Sequence, residues 1–511
     1  MKSLFDLFIS YGRKESRAFA MELHAQLLAQ GLSIWFDQKD IPPSVDYQKQ
    51  IDDGIERARN FIFIIAPHSA RSPYCRLEIE HAVRHGKRII PLYHVALGES
   101  EVHLHPTIQR LNWLYFDGSQ PYEEAFSRLL ATLQQEAEYV ELHTFILNQA
   151  LAWAHNQRKA EYLLTDDARE HAEAWLQTRF SDGQRQPPCL VTALHAEFIC
   201  ESTKSAFNDM SWAFISYAKS DGEWLQRLCA RLQHEGITVW HEELQARTSA
   251  DTLREELQRG IEKADNVIFL ASPASSAMVL CRAELEYAQR LSKRIILLNL
   301  GSGQATDIKN ALVLDWREAV EDTNAADGLD KLLRALYSEA SYYRQHKELL
   351  VNALKWQSQN HNASVLLHGR RLTAAEAWLK GAPMHQKHPP LPLHIEYIEQ
   401  SLAQPRDAAR EIFLAYASAD RDFARRLHGL LETQGKSAWF DQESADWLVR
   451  ETPEEMRRGI AASHNFLFVV SPQSLASTQC RAVMEDAIQR NKRVIPLLRA
   501  PVEDVPAPLR G

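Results

Sequence analysis

At 511 residues the chain is too long for one hydrophobic core; at about 150 residues per domain it should hold three or four. Its 45% hydrophobic and 24% charged residues are those of an ordinary folded protein and exclude wholesale disorder. A net charge of −9 and a pI near 6.2 give no long-range attraction to nucleic acid or to an anionic membrane, so neither is expected as a partner.

The amino terminus runs straight into a strand pattern, and Asp6 interrupts any signal-peptide core. Apolar runs such as Phe61 to Ala66 suit a buried strand and fall far below the roughly 20 residues of a spanning helix. Cysteines 75, 189, 200, 229, 281 and 480 show no CxxC and no metal spacing, so no metal and no disulfide framework is expected. A reduced, cytoplasmic protein is the expectation.

The first strand ends in Phe8-Ile9-Ser10-Tyr11, which returns as Phe214-Ile215-Ser216-Tyr217 and again as Phe413-Leu414-Ala415-Tyr416, at offsets of 206 and 199 residues. Cys75-Arg76, Cys281-Arg282 and Cys480-Arg481 keep the same two offsets, and Trp35, Trp240 and Trp439 follow at 205 and 199. Next in each copy comes an amphipathic helix, with Phe19, Leu23 and Leu27 in copy one, Leu225, Leu228 and Leu232 in copy two, and Phe423, Leu427 and Leu431 in copy three. Gly31, Gly236 and Gly435 suit the left-handed position past each helix end.

A short strand carries the tryptophan, and the third strand is apolar throughout: Phe61 to Ile65, Val267 to Leu270, Phe466 to Val470. Such strands belong to a parallel sheet covered on both faces. A fourth strand (Arg88 to Leu92, Arg294 to Leu298, Arg493 to Leu497) and a fifth (Leu111 to Phe116, Ala311 to Trp316) complete an α/β doubly wound sheet of five parallel strands flanked by helices. Copy three shows no fifth strand, and the sequence stops at Pro508-Leu509-Arg510-Gly511, about where it would begin. Between copies, His143, Trp153 and Trp175 match His346, Trp356 and Trp378 in spacing, which predicts two related helical spacers with an aromatic core. The expected division is 1–135, 211–337 and 410–511 for the three copies, the last incomplete, with spacers at 136–210 and 338–409.

Three stretches carry a resemblance to the TIR (Toll/interleukin-1 receptor) domain family. They are Phe8-Ile9-Ser10-Tyr11 with its polar loop Gly12 to Ser16, Ile34-Trp35-Phe36-Asp37, and Ser72-Pro73-Tyr74-Cys75-Arg76-Leu77-Glu78. They span nearly all of copies one and two and most of copy three, and the layout is similar to bacterial tandem-TIR proteins. The resemblance implies three flavodoxin-like domains in signalling or defence, and association with other TIR domains within or between chains. It further implies cleavage of NAD, as substrate rather than cofactor, to nicotinamide and ADP-ribose or a cyclic isomer.

In enzymatic members a glutamate three residues after the cysteine acts on the ribose next to nicotinamide, which here is Glu78, with Glu284 its counterpart in copy two. The chemistry is coherent, because breaking an N-glycosidic bond builds oxocarbenium charge that a fixed carboxylate stabilises. Nicotinamide already leaves from a cationic state, so one carboxylate suffices. The resemblance implies substrate contacts at Ser10, Tyr11, Arg13, Trp35, Asp37, Asp40, Ile41, Ser69, Tyr74 and Cys75. Ser72 reads as a helix N-cap with Pro73 at the first helical position, putting Cys75 and Glu78 on one helix face. The segment Asp37 to Tyr47 corresponds to a loop that covers the pocket and meets a neighbouring domain.

The copies differ in chemistry. Copy two has Val279-Leu280 where copy one has Pro73-Tyr74, and copy three has Val483 where the glutamate should stand, yet keeps Trp439-Phe440-Asp441-Gln442. Copy three is therefore expected to be silent and to donate a loop or a docking face. Glu80, two residues from Glu78, recurs as Glu286 and Glu485 and is assigned no chemistry. Two readings stay open, a TIR enzyme acting on NAD and a non-enzymatic TIR scaffold. A nucleotide-binding flavodoxin-like module is disfavoured, since no glycine-rich phosphate loop follows the first strand.

Overall fold

A strand buried on both faces needs helices on both sides of its sheet, and each copy meets that need with the same winding. The computed structural model describes residues 4–36, 47–180, 186–242, 250–300, 308, 310–316, 325–404, 410–440, 453–502, 506 and 509. Two units result, Met1–Leu163 with His171–Ile199 and Leu164–Glu170 with Cys200–Gly511.

In the first unit, β1 (Phe5–Ser10), β2 (Ile34–Trp35), β3 (Ala58–Ile65), β4 (Arg88–Tyr93) and β5 (Leu114–Tyr115) pair in parallel in the order β2-β1-β3-β4-β5. Four helices matter here: α1 (Arg17–Ala29), α2 (Tyr47–Arg57), α3 (Pro67–Arg71) and α4 (Pro73–Arg84). The helix α1 buries Phe19, Leu23 and Leu27 on the sheet, as their spacing predicts, and the chain turns away at Gly31 with φ +82°. The fifth strand is shorter than the apolar run Leu111 to Phe116, only two of whose residues pair with β4.

Trp35 is buried, stacked on Phe8 with ring centroids 4.6 Å apart. The indole lies flat against α2 at Gly54, where a Cβ would stand 2.7 Å from the ring, so only glycine lets helix and tryptophan meet. Lys87 is buried where β3 begins and donates to the carbonyls of Glu56 (2.7 Å) and Ala58 (2.9 Å). In the spacer, His143, Trp153, Trp175 and His195 are all buried, and the two imidazoles lie 4.5 Å apart. Burial pushes the His195 imidazole down to about 3, so it is a neutral core residue.

The second unit repeats the pattern. Copy two consists of β6 (Ser211–Ser216), β7 (Val239–Trp240), β8 (Ala264–Ala271), β9 (Arg294–Asn299) and β10 (Leu312–Asp315), in the order β10-β9-β8-β6-β7. Copy three has β11 (Arg410–Ala415), β12 (Ala438–Trp439), β13 (Ser463–Val470) and β14 (Arg493–Leu498), in the order β12-β11-β13-β14; among the described residues its sheet has four strands. The glycine under the tryptophan recurs at Gly260 and Gly459, and the strand-end lysine recurs as Lys293 and Lys492, each donating to two carbonyls.

The first helix of copy three, Arg421–Thr433, departs from its periodicity. Phe423, Leu427 and Leu431 pack on the core only in part, whereas Arg421, Asp422, Arg425 and His428 are buried. Asp422 accepts from Arg169 Nε at 2.6 Å, from Arg425 Nη1 at 2.9 Å and from the Asp166 main-chain N–H at 2.7 Å. The segment Leu164–Glu170 thus lies on the polar side of this helix and satisfies its charges. Burial raises the Asp422 carboxyl, but the Arg169 hydrogen bond and the surrounding guanidinium charges outweigh it and hold the group below the usual carboxylate range.

Candidate functional site

In the order β2-β1-β3-β4-β5 the chain leaves β1 toward one edge and β3 toward the other, so a crevice opens past the carboxyl ends of these two strands. The β1 loop and α3 close against each other there, since a Cβ on Gly12 would stand 2.7 Å from the Ser69 nitrogen. The helix α4 begins beside this point. Ser72 caps it, accepting from the Cys75 N–H at 3.3 Å, and Pro73 occupies its first turn.

Cys75 is buried, and its thiol donates to the Tyr11 carbonyl at 3.7 Å. The same weak bond runs from Cys281 to Tyr217 at 3.3 Å and from Cys480 to Tyr416 at 3.4 Å. The cysteine thus ties the helix to the end of the first strand in every copy. One turn further on stand Glu78, half-buried, and in copy two Glu284, only 7% exposed.

In copy two the arrangement is fully drawn. The Ser216 hydroxyl, at the last position of β6, donates to Glu284 Oε2. Burial pushes the Glu284 carboxyl up to about 7; the Ser216 hydrogen bond pulls it down and the nearby Glu242 pushes it further up. The Cys281 thiol is raised to about 11 by burial and by Glu284, so it stays protonated and is no nucleophile. The Tyr217 hydroxyl donates to the Glu242 carbonyl at 2.8 Å, tying the end of β6 to the segment after β7.

Copy one holds the same residue types at the same offsets. Ser10 is buried at the end of β1, and its hydroxyl has no hydrogen-bond partner among the described residues. Tyr11 stacks on Phe36 with centroids 5.3 Å apart, Arg13 is exposed in the loop, and Tyr74 is 62% exposed. Ser69 is buried and spends its hydroxyl on the main chain, donating to the Ile64 carbonyl at 2.8 Å and accepting from the Ala66 N–H at 2.9 Å. Trp35 lies in the core under α2. Asp37, Asp40 and Ile41 lie outside the described residues, as do Asp441 and Gln442 of copy three.

Copy three keeps the frame and loses both polar partners together. Ala415 ends β11 where copies one and two have serine, and Val483 replaces the glutamate and is buried. Comparison of Phe-Leu-Ala-Tyr with Phe-Ile-Ser-Tyr could have exposed this coupled change from sequence, had serine and glutamate been known to touch. A further residue set has no counterpart in the repeat markers: His81 in the last turn of α4 and His85, the residue that ends it, meet Glu56 of α2. An HxxxH on a predicted helix was the available signal.

Three α/β sheets with a crevice at the β1–β3 switch point define a flavodoxin-like protein class. Within that class, the TIR domain family matches residues 7–130, 213–333 and 412–511, and the chain belongs to that family. Among solved structures it is similar to the TIR domain of the Toll-related receptor TRR-2 from the lower metazoan Hydra magnipapillata, at 17% identity over 25% of this chain and 98% of that one, with a TM-score of 0.23. No curated protein matches. Among the described residues no helix is long and apolar enough to cross a membrane.

Proposed function

We propose that copies one and two cleave the bond between nicotinamide and ribose in NAD, with Glu78 and Glu284 as the stabilising carboxylates and copy three as a TIR docking partner without chemistry. The observation that carries this reading is the buried Ser216–Glu284 pair at the switch-point crevice, repeated in residue type as Ser10 and Glu78 and absent as a pair from copy three.

A carboxylate on a rigid helix, one turn beyond a cysteine anchored to the sheet, is held where positive charge would develop on the ribose. Half-neutral near pH 7 when alone, Glu284 would ionise as the nicotinamide ring brings its positive charge into the crevice. The serine hydroxyl favours that ionised form and points one carboxylate oxygen. Tyr74, exposed at the start of α4, offers copy one a ring for the nicotinamide, and Arg13 a charge for the pyrophosphate. Products are nicotinamide and ADP-ribose or its cyclic isomer, and TIR–TIR association supports the active arrangement.

The test incubates the full chain with NAD at high protein concentration and follows nicotinamide by chromatography. Glu78→Gln together with Glu284→Gln should lower turnover by about 10²–10³-fold. Release that survives both substitutions would remove these residues from the site. No release by the unaltered chain, even with a crowding agent, would favour the alternative of a TIR scaffold, for which the carboxylate-free copy three is the precedent within this molecule.

A further inference from the structure

We propose that Glu56, His81 and His85 form a binding site for one divalent transition-metal ion, best suited to zinc, that bridges α2 to α4. This inference does not rest on the NAD reading and concerns the opposite end of α4 from Cys75 and Glu78.

One donor atom from each of the three side chains lies within 4.8 Å of the others. His81 Nε2 is 3.1 Å from Glu56 Oε1, and His85 Nε2 is 3.7 Å from the same oxygen. Tetrahedral zinc with bonds of about 2.0–2.2 Å holds its donors about 3.3–3.6 Å apart, so both separations close on an ion with small side-chain shifts. Two imidazole nitrogens facing one carboxylate oxygen are more than a simple hydrogen bond uses. His81 alone is within hydrogen-bond distance of Glu56, and His85 stands outside it. His81 in the last turn of α4 and His85 at its carboxyl-terminal cap keep the four-residue spacing of a recurrent metal-ligand pair, and the rings stand edge to face with centroids 4.5 Å apart.

A carboxylate also stands behind the pair. His81 Nδ1 is 3.7 Å from Asp52 Oδ1, outside hydrogen-bond distance but within reach of a small ring rotation, and Gln48 donates to that same carboxylate oxygen at 2.9 Å. A carboxylate behind a ligating imidazole is the outer-shell partner that sets tautomer and ring orientation at metal sites. The side chains of His81, His85 and Glu56 are 12%, 13% and 25% exposed, leaving the ion a route in and a fourth position for water.

The other copies show the frame without the ligands. In copy two the equivalents are Glu262, Tyr287 and Leu291, and the tyrosine hydroxyl donates to Glu262 Oε1 at 2.5 Å. In copy three they are Ala461, Asp486 and Arg490, the last two paired at 2.9 Å. The same helix pair thus folds with a metal-type triad, with a tyrosine–carboxylate bond, or with neither. His81→Tyr with His85→Leu therefore rebuilds in copy one a contact that copy two already carries.

The full chain, stripped with chelator, is titrated with Zn²⁺ against a chromophoric indicator and with Co²⁺ by visible absorption. One equivalent of tight Zn²⁺ and the strong visible bands of four- or five-coordinate Co²⁺ are expected, with a rise in melting temperature. The His81→Tyr/His85→Leu variant should weaken the zinc affinity by more than about 100-fold, and Asp52→Asn by about 10–100-fold. His85→Leu alone leaves the His81–Glu56 hydrogen bond in place and should still abolish the tight equivalent. Zinc titrations unchanged by His85→Leu and by the double variant, or a Co²⁺ spectrum of the hydrated ion only, would make the triad a hydrogen-bonded clamp and overturn the proposal.

Discussion

Copies two and three share a strand order, a cysteine anchored on a tyrosine carbonyl, a glycine under the tryptophan and a lysine across two strand-end carbonyls. They differ at the end of the first strand and one turn into the following helix, where Ser216 and Glu284 face Ala415 and Val483. The same sheet and helix frame carries either pair, so the frame itself does not require the carboxylate. A buried carboxyl such as Glu284 is costly to keep, which is the ground on which the proposed chemistry can be tested against a structural role. The small apolar pair in copy three is what packing alone prefers.

The sharpest way to break this comparison is to make copies one and two resemble copy three. Replacing Glu78 and Glu284 by valine should lower nicotinamide release to less than about a hundredth of its original rate and leave the melting temperature unchanged or raised. A fall in stability comparable to the loss of activity would mean the glutamates are structural.

A second prediction concerns copy three itself. Asp422→Ala strands Arg169 and Arg425 in a buried site and should destabilise the second unit by about 3–5 kcal/mol in denaturant unfolding. Because this carboxyl titrates below its usual range, its contribution is present above the unfolded carboxylate value and fades as pH falls through the lower folded one. An Asp422→Ala chain as stable as the original would show that the network is ornamental.

Third, Glu284 behaves in the opposite sense to Asp422. Its carboxyl is raised from 4.5 to about 7, so the folded state binds its proton more tightly and stability falls as pH rises across that window. The cost above pH 7 is on the order of 3 kcal/mol, and Glu284→Gln should flatten that slope. Ser216→Ala removes a bond that favours the anion and should move the acid limb of copy-two turnover to higher pH, measured in a Glu78→Gln background. A shift to lower pH would contradict the assigned role of the hydroxyl.

Smaller effects follow from packing. Gly260→Ala sets a Cβ 2.8 Å from the Trp240 ring and should cost about 1–3 kcal/mol. Glu80→Ala breaks only an exposed pair with Arg76 and should change stability by less than about 0.5 kcal/mol, with turnover unaltered. It is the control for Glu78 on the same helix.

Much of this was open to inspection in the sequence, and for a local reason. Continuous apolar runs mark strands covered on both faces, a period of 3.6 marks the apolar side of a helix and Ser-Pro marks its start, so the strands, Phe19, Leu23 and Leu27 of α1, and the Ser72 cap could be read residue by residue. Recurrence at offsets of 206 and 199 placed the cysteine and the glutamate at equal positions in the repeat.

What the chain could not declare alone are contacts between residues far apart along it. The resemblance implies a substrate contact at Trp35, and only the packing shows that its ring is buried flat against Gly54. The helix Arg421–Thr433 reads as exposed on its charged side, and only Leu164–Glu170, some 250 residues earlier, shows why that side is buried. Ser216 and Glu284 lie 68 residues apart, and His81 and Glu56 lie 25 apart. Periodicity carries the burial of a side chain against its own element's face; which charged or polar group meets it across the sheet is set by tertiary packing, because hydrogen bonds and ion pairs depend on positions that no local pattern encodes.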